Sequence, residues 1–193
     1  MVKRCSWANH SDLMKRYHDF EWGVPVYDDK LFFEQLILQG AQAGLSWFTI
    51  LKKRNNYHNA FDGFDFEKIA LYDEEKVNNL LNNKGIIRNQ LKIRSAIKNA
   101  KTFIELRKKE GSFSEYIWRF VNSKPTHNDW ESLNQIPGNT ELSAKISIDM
   151  KKRGFSFIGP TIIYAFMQAT GLVNDHLVSC FRHNEIKKLS IET

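Results

Sequence analysis

The sequence lacks the long apolar run that a membrane protein needs. No window approaches the ~18–20 consecutive apolar residues of a transmembrane helix. No apolar run follows the basic residues of the N-terminal stretch MVKRCSW either, so a secretory signal peptide is not expected. These absences predict a cytoplasmic protein that has no membrane partner.

Strand signals and several common enzyme motifs are also missing. Long apolar/polar alternation is absent, whereas apolar residues recur at helical spacing along most of the chain. There is no phosphate-binding loop, dinucleotide fingerprint, H-E-x-x-H or G-x-S-x-G pattern. We therefore predict an all-α fold, and 193 residues suffice for one medium domain or two small lobes.

Cysteine is rare, and Cys5 and Cys180 lie near opposite ends of the chain. A stable disulfide is not expected in the cytoplasm, and two unrelated buried thiols are the simplest interpretation. Each cysteine nevertheless has a histidine at ligand-like spacing, since His18 follows Cys5 by thirteen residues and His176 precedes Cys180 by four. Two thiolates and two imidazoles form a closed tetrahedral Zn²⁺ set with no position left for a catalytic water. Such a structural site would tie residues 1–20 to residues 174–182.

Positive charge is in excess and unevenly distributed. The chain has 28 basic and 22 acidic residues, and ten of the basic ones fall between Lys76 and Glu110, where Glu105 and Glu110 are the only acids. On charge alone, this region is either a solvated helix face or a surface that attracts phosphates. Nucleic acid is therefore a reasonable partner.

The stretch LFFEQLILQGAQAGLSWFTILKK at 31–53 predicts two helices separated by a turn at residues 40–44. Asp28 or Asp29 can cap the first helix, and Ser46 can cap the second. Gln39 lies just before the turn and Trp47 just after it, and small residues between them permit close approach of the backbone. We predict that this stretch forms a wall and a lip of a functional pocket.

A second pair of helices, joined by a short turn, is predicted at about residues 141–171. Thr140 can cap ELSAKISIDMKKR, and Pro160 can begin the next helix after the turn GFSFIG. Backbone N–H groups at a helix N-terminus favour anions, and Lys151, Lys152 and Arg153 lie beside this turn. We interpret it as a site for a nucleic-acid phosphate; the alternative is an ordinary turn between helices.

Large aromatic residues are concentrated near the N-terminus, as Trp7, Tyr17, Trp22 and Trp47. Such residues usually form core, but several here stand beside polar residues or glycine. In a cleft they would stack on a planar base, an interaction worth about 1–3 kcal/mol per base.

The chain resembles a known family in blocks that keep their order and cover nearly its whole length: RCSWA at 4–8, YHDFEWGVP at 17–25, GAQAGLSWFTILKKR at 40–54, GIIRNQLKI at 85–93 and KKRGFSFIGPTIIYAFMQATGLVNDH at 151–176, followed by Cys180. The family is the bacterial 3-methyladenine DNA glycosylases of the constitutive type, within the helix-hairpin-helix glycosylase superfamily.

The resemblance implies an all-helical, two-lobed unit spanning residues 1–193, with a helix-hairpin-helix motif at about 141–171. It implies structural Zn²⁺ at Cys5, His18, His176 and Cys180. The implied activity flips 3-methyladenine out of alkylated double-stranded DNA and hydrolyses its N-glycosidic bond without lyase activity, releasing the free base. We expect a monomer that acts at the bacterial nucleoid.

The resemblance also implies roles for individual residues. The base pocket would contain Trp7, Tyr17, Trp22, Gln39 and Trp47. Residues 43–45, called the lip below, would press Gly44 and Leu45 into the gap left by the flipped base. The DNA backbone would be contacted by residues around the second turn: Lys151, Lys152, Arg153, Gly154, Phe157 and Gly159.

Two positions depart from the family pattern. Gln39 stands where the family commonly has a glutamate that recognises the base, and Met14 stands where a tyrosine is expected. Glutamine offers hydrogen bonds but no charge to attract a cationic base.

Two residues are candidates for a catalytic role. 3-Methyladenine in DNA is cationic and leaves readily, so stacking and cation–π attraction can act without a strong general acid. Gln39 is then expected to read the base edge. Asp175, beside His176, is a candidate acid or a supporting residue. The competing hypotheses are a non-catalytic module that binds damaged DNA and a zinc hydrolase, and four candidate ligands argue against the hydrolase.

Overall fold

Capping residues divide the chain into helices much as their spacing predicts. In the computed structural model, which describes residues 2–189, a side-chain oxygen accepts a first-turn backbone N–H at eight helix starts: Ser11, Asp28, Ser46, Asp65, Asp73, Asn89, Ser112 and Thr140. Residue 1 and residues 190–193 of the predicted single unit lie outside the described residues.

The described residues are mostly helical, with only two short strands. The prediction of a mainly helical fold is therefore confirmed. The α-helices are α1 (Asp12–Phe20), α2 (Asp29–Gln42), α3 (Trp47–Ala60), α4 (Phe66–Ile69), α5 (Glu74–Asn82), α6 (Gln90–Glu110), α7 (Phe113–Trp118), α8 (Glu141–Arg153), α9 (Pro160–Ala169) and α10 (Phe181–Leu189). Short 3₁₀ turns lie at Ser6–His10, Asp62–Phe64, Arg119–Val121 and Leu133–Gln135. Two short strands, β1 (Thr126–His127) and β2 (Val173–Asn174), pair in parallel.

Two boundaries differ from the sequence prediction. The break after α2 comes at residues 43–46 rather than 40–44, because Gly40 and Ala41 are buried in the last turn of the helix. The sequence also predicts at most one short helical turn around Trp130 in the polar segment 122–139. The turn forms instead at Leu133–Gln135, and a capping box starts it at Ser132.

Buried apolar side chains form two clusters. The larger one contains most of the helical core, including Phe32, Phe103, Phe113 and Phe166. The smaller one contains residues from both ends of the chain: Cys5, Met14, Tyr17, Trp22, Leu51, Leu177 and Cys180. The predicted division into two lobes stays a prediction.

The long helix α6 packs against α2, α4, α5 and α7, while α9 packs against α8 and α2. Among the described helices, none has the length and apolarity that a membrane crossing requires.

Candidate functional site

A cavity of about 440 Å³ opens between the smaller apolar cluster and helix α9. This volume suits a small planar ligand. Its walls come from distant parts of the chain: the N-terminal segment and α1 (Trp7, Met14, Tyr17, Trp22), the junction of α2 and α3 (Gln39, Gln42, Trp47), the loop before α8 (Leu133, Ile136, Pro137, Gly138) and α9 (Thr161, Tyr164, Ala165, Gln168).

The predicted aromatic residues meet in this cavity. Trp7 stands edge-on to Trp22 with ring centroids 5.0 Å apart, and Tyr17 lies 5.2 Å from Trp47. Such separations are typical of aromatic pairs that support one another in a fixed geometry. The rings therefore serve as core on one side and as cavity wall on the other.

Two buried polar atoms on the cavity wall have no partner among the described residues, namely Gln39 Oε1 and Trp47 Nε1. Gln39 is 4% exposed, and its amide nitrogen makes only a long contact of 3.5 Å with Gln35 Oε1. An unsatisfied buried polar group costs about 1–3 kcal/mol. A ligand with both a donor and an acceptor on its edge would remove that cost.

None of the described side chains that line the cavity is acidic or basic. Burial, followed by the nearby charge of Glu21, raises the pKa of Tyr17, so its phenol stays protonated at neutral pH. The cavity thus offers stacking surfaces and neutral hydrogen-bonding groups.

Asp175 does not line the cavity and lies buried behind α9. Its carboxylate accepts four hydrogen bonds of 2.5–2.7 Å, two from loop residues (Asn128, Trp130) and two from α9 (Tyr164, Gln168). Because Tyr164 and Gln168 line the cavity, Asp175 is connected to it through them.

The four predicted metal ligands come together and are all buried. Their ligand atoms lie within 4.8 Å of one another. Cys180 Sγ is 3.4 Å from His18 Nε2 and 3.6 Å from His176 Nδ1, and Cys5 Sγ is 3.8 Å from His176 Nδ1. Tetrahedral Zn²⁺ with its usual bond lengths separates sulfur from nitrogen ligands by about 3.5 Å. The donor set and its spacing therefore fit zinc.

The other nitrogen of each histidine already has a hydrogen-bonding partner. His18 Nδ1 lies 2.8 Å from Asp19 Oδ1, and His176 Nε2 lies 2.9 Å from the carbonyl oxygen of Trp22. These partners orient His18 Nε2 and His176 Nδ1 towards the sulfurs, as in histidine metal sites. The Trp22 contact also joins the cluster to the cavity wall.

The pair His176 and Cys180 is not on a helix, since residues 175–180 are irregular apart from a turn at 178–179 and α10 begins only at Phe181. The Leu177 N–H points to Cys5 Sγ at 3.5 Å, so the chain wraps around the sulfur instead of continuing a helix.

The pKa values of the two cysteines shift in opposite directions. The hydrogen bond to Cys180, with burial, raises the pKa of Cys5. The same hydrogen bond, with help from His176 and His18, lowers the pKa of Cys180. The cluster thus already favours one thiolate, which is the form that binds a metal.

The lip directly follows α2, and the turn at residues 154–159, called the hairpin below, lies close to α2 at Gly40. Gly44 and Leu45 are exposed, and Gly44 has φ +78° with open space around it. At the hairpin, Gly154 and Phe157 both have positive φ, which is uncommon for phenylalanine. Gly159 is half-buried just before Pro160.

The three predicted basic contacts near the hairpin differ from one another. Lys151 and Lys152 are exposed, and the ammonium group of neither makes a hydrogen bond or salt bridge within residues 2–189. Arg153 instead pairs with Glu110 and Asp149 at 2.8 and 2.7 Å.

Sequence reasoning missed several residues around the site. The cavity contacts Leu133 and Pro137 lie in a segment whose polar composition gave no sign of a binding wall. Arg54, which pairs with Glu34 at 2.7 Å and with Glu21, connects α3 to the segment before Trp22. Arg54 stands in the polar run KKRNN of α3, so its sequence context carried no signal of this role.

Comparisons with known proteins agree with this geometry. The model of the methyladenine glycosylase family matches residues 7–183. The DNA-3-methyladenine glycosylase of Haemophilus influenzae is 46% identical over 180 residues, which is 93% of this chain and 97% of that protein. A crystal structure of 3-methyladenine DNA glycosylase I is 47% identical with a TM-score of 0.92, covering 94% of this chain and all of the other. A tyrosine-to-phenylalanine variant of such an enzyme, in complex with 3-methyladenine, is 32% identical with a TM-score of 0.90 and covers 93% and 97% of the two chains.

Proposed function

The chain belongs to the methyladenine glycosylase family, and we propose that it releases 3-methyladenine from alkylated double-stranded DNA by hydrolysing the N-glycosidic bond. One observation carries the proposal: an aromatic cavity in which Gln39 Oε1 and Trp47 Nε1 are a buried acceptor and a buried donor without a partner among the described residues. The related enzymes named above are 3-methyladenine glycosylases, and one is described in complex with that base.

The reaction breaks the bond between C1′ of the sugar and N9 of the base. The electron pair goes to the base, which neutralises the positive charge that methylation at N3 placed there. Water adds to C1′ through its oxygen and releases one proton to the solvent. Because the base leaves as a neutral molecule, a lining without acidic groups is sufficient for this chemistry.

Gln39 and the rings divide the task of recognition. The rings would stack on the flipped base and favour its positive charge. Gln39 Oε1 would accept a hydrogen bond from the amino group of the base, and Trp47 Nε1 would donate one to a ring nitrogen. A glutamine cannot attract the cation by charge, so selectivity here depends on stacking and hydrogen bonding.

The absence of lyase activity belongs to the same proposal. A lyase step requires an amine that attacks C1′, and no lysine is among the described residues that line the cavity. Water is then the nucleophile.

The lip and the hairpin would bind the DNA, with residues 141–171 acting as a helix-hairpin-helix motif. Two features support this role: Gly44 and Leu45 are exposed just after α2, and the exposed Lys151 and Lys152 end α8 directly before the hairpin that leads to the N-terminus of α9. Phosphates held at the hairpin would bring a damaged nucleotide to the cavity.

The cysteine–histidine cluster would hold structural Zn²⁺ through Cys5, His18, His176 and Cys180. Bound zinc would join the two ends of the chain behind the wall formed by Trp22. Four protein ligands leave no position for a catalytic water, which is why a zinc hydrolase is disfavoured.

Chromatography of the bases released from methylated duplex DNA tests the activity. We expect free 3-methyladenine and little 7-methylguanine, which serves as the selectivity control. Binding to methylated DNA without free base would instead indicate the non-catalytic module. Strand cleavage at the resulting abasic site would contradict the assignment as a glycosylase without lyase activity.

A further inference from the structure

The C-terminal end of α2 is held by a lysine from α6. Lys92 Nζ donates to the carbonyl oxygens of Ala41 and Ala43 at 2.8 and 2.7 Å. The last carbonyls of a helix have no helical donors, and a cation is favoured there by the helix dipole. Partial burial lowers the pKa of Lys92, and the two carbonyls replace the water that its ammonium group has lost. Because Ala43 begins the lip, Lys92 fixes the backbone from which Gly44 and Leu45 project.

The hairpin is held by an asparagine from the same helix. Asn99 Nδ2 donates to the carbonyl oxygen of Ser156 at 3.0 Å, and Asn99 Oδ1 accepts from the Ser156 N–H at 2.8 Å. Asn99 is 3% exposed, so this pair of bonds is shielded from water. It holds the backbone beside Phe157, whose φ of +54° needs support from its surroundings.

Lys92 and Asn99 lie on one face of α6. They are seven residues apart, which is two helical turns and about 10 Å along the axis. Both line a narrow crevice together with Gly40, Ala41 and Phe157. The end of α2 also contacts the hairpin directly, because a Cβ on Gly40 would stand 3.6 Å from the carbonyl oxygen of Phe157.

We propose that Lys92 and Asn99 are positioning residues that use α6 as a common support to set the lip at a fixed distance from the hairpin. The inference rests on the proposed function, in which the hairpin holds DNA phosphates and the lip fills the gap left by the flipped base. Neither residue contacts the base in this role. The flipped base must lie at the cavity mouth while the hairpin holds the phosphates and the lip fills the gap in the duplex. A lip that is not held in place therefore slows the entry of the base into the cavity.

Single variants separate this role from damage to the cavity. Lys92→Met is expected to slow base release from methylated duplex DNA about tenfold under saturating enzyme, since small misplacements near a reacting group are costly. Its binding of free 3-methyladenine, followed by tryptophan fluorescence, should stay within about twofold of the unchanged protein. Lys92→Arg can still donate to both carbonyls and should restore most of the rate. Lys68→Met removes a lysine with only a 3.8 Å pair to Asp65 and is the charge-matched control.

The double variant tests whether the two residues act on one geometry. Asn99→Ala is expected to slow release about tenfold by itself. Combined with Lys92→Met, it should add little, because the relative position of lip and hairpin is already lost. Multiplied losses would show two independent effects and overturn the proposal. Asn99→Ala also tests the inference by itself if Lys92→Met fails to fold.

Two further outcomes are distinguishable. If the unchanged protein releases no base from methylated DNA, the proposed function fails. If the unchanged protein releases base and Lys92→Met releases it at the same rate, the positioning role fails. It also fails if the affinity of Lys92→Met for free 3-methyladenine falls by the same factor as its rate of base release.

Discussion

Gln39 and Asp175 are both almost fully buried polar residues near the cavity, yet only one has its hydrogen bonds filled. Asp175 accepts four, whereas Gln39 Oε1 accepts none from the described residues. The cysteine–histidine cluster resembles Asp175, since both of its ring nitrogens that face away from the sulfurs have partners. Asp175 and the two histidines behind the wall are thus satisfied by the protein, whereas Gln39 Oε1 and Trp47 Nε1 on the wall are left for a ligand.

This difference separates support from recognition. Satisfied groups are expected to affect stability more than binding when they are changed. Unsatisfied groups are expected to affect binding and rate while leaving stability almost unchanged. Each of the following variants tests one side of that comparison.

Cys180→Ala is expected to have the largest effect. It removes one of four candidate zinc ligands, and the loss of a structural metal should lower the free energy of unfolding by more than about 4 kcal/mol. Metal analysis and thermal denaturation measure this, and a chelator should destabilise the unchanged protein in the same way. If the unchanged protein contains no zinc as purified, and Cys180→Ala melts at the same temperature, the zinc assignment is refuted.

Asp175→Asn should cost about 2–3 kcal/mol of stability, because an amide group would face four donors that now point to a carboxylate. Urea denaturation measures the loss, and Asp12→Asn, an exposed carboxylate that is 97% accessible, is the control. A variant that is stable and inactive, with zinc intact, would show that Asp175 is a catalytic acid instead.

Gln39→Ala should slow base release about tenfold and leave the free energy of unfolding within about 1 kcal/mol, since the side chain gives up only a long hydrogen bond. Gln39→Met keeps the volume without the amide and should behave alike. Release kinetics at saturating enzyme provide the measurement. An unchanged rate in Gln39→Ala would remove Gln39 from the recognition of the base.

Lys152→Met is expected to have the smallest effect. An exposed lysine at a phosphate contributes about one ion to the salt dependence of DNA binding, so the slope of log K against log salt should fall by about 1. Arg153→Met should change the slope less, because Arg153 already pairs with Glu110 and Asp149. Equal changes in slope would show that Arg153 leaves its ion pairs with Glu110 and Asp149 to contact a DNA phosphate.

Much of the helical pattern follows from local chemistry. Asp28, Ser46 and Thr140 cap the helices that their spacing predicts, since each hydrogen bond reaches only three residues along the chain. The end of α2 was misplaced because the burial of Gly40 against the hairpin depends on a distant segment.

The candidate site was predictable where residue type alone is distinctive. Cys5 and Cys180 each had a histidine at a suggestive spacing, and the structure brings the four side chains together. The walls at Leu133 and Pro137 were not predictable, since an apolar residue in a polar loop does not indicate which cavity it faces.

The sequence by itself determined the helix starts, the donor set of the cysteine–histidine cluster and the aromatic character of the cavity, because these depend on local hydrogen bonds and on which side chains are present. Only the tertiary structure decided which polar atoms are satisfied. Gln39 lies on α2 and Asp175 beyond β2, and nothing in their local sequence distinguishes them. Four donors from two other segments surround Asp175, and none reaches Gln39 Oε1, because partners for buried groups come from the packing of distant segments.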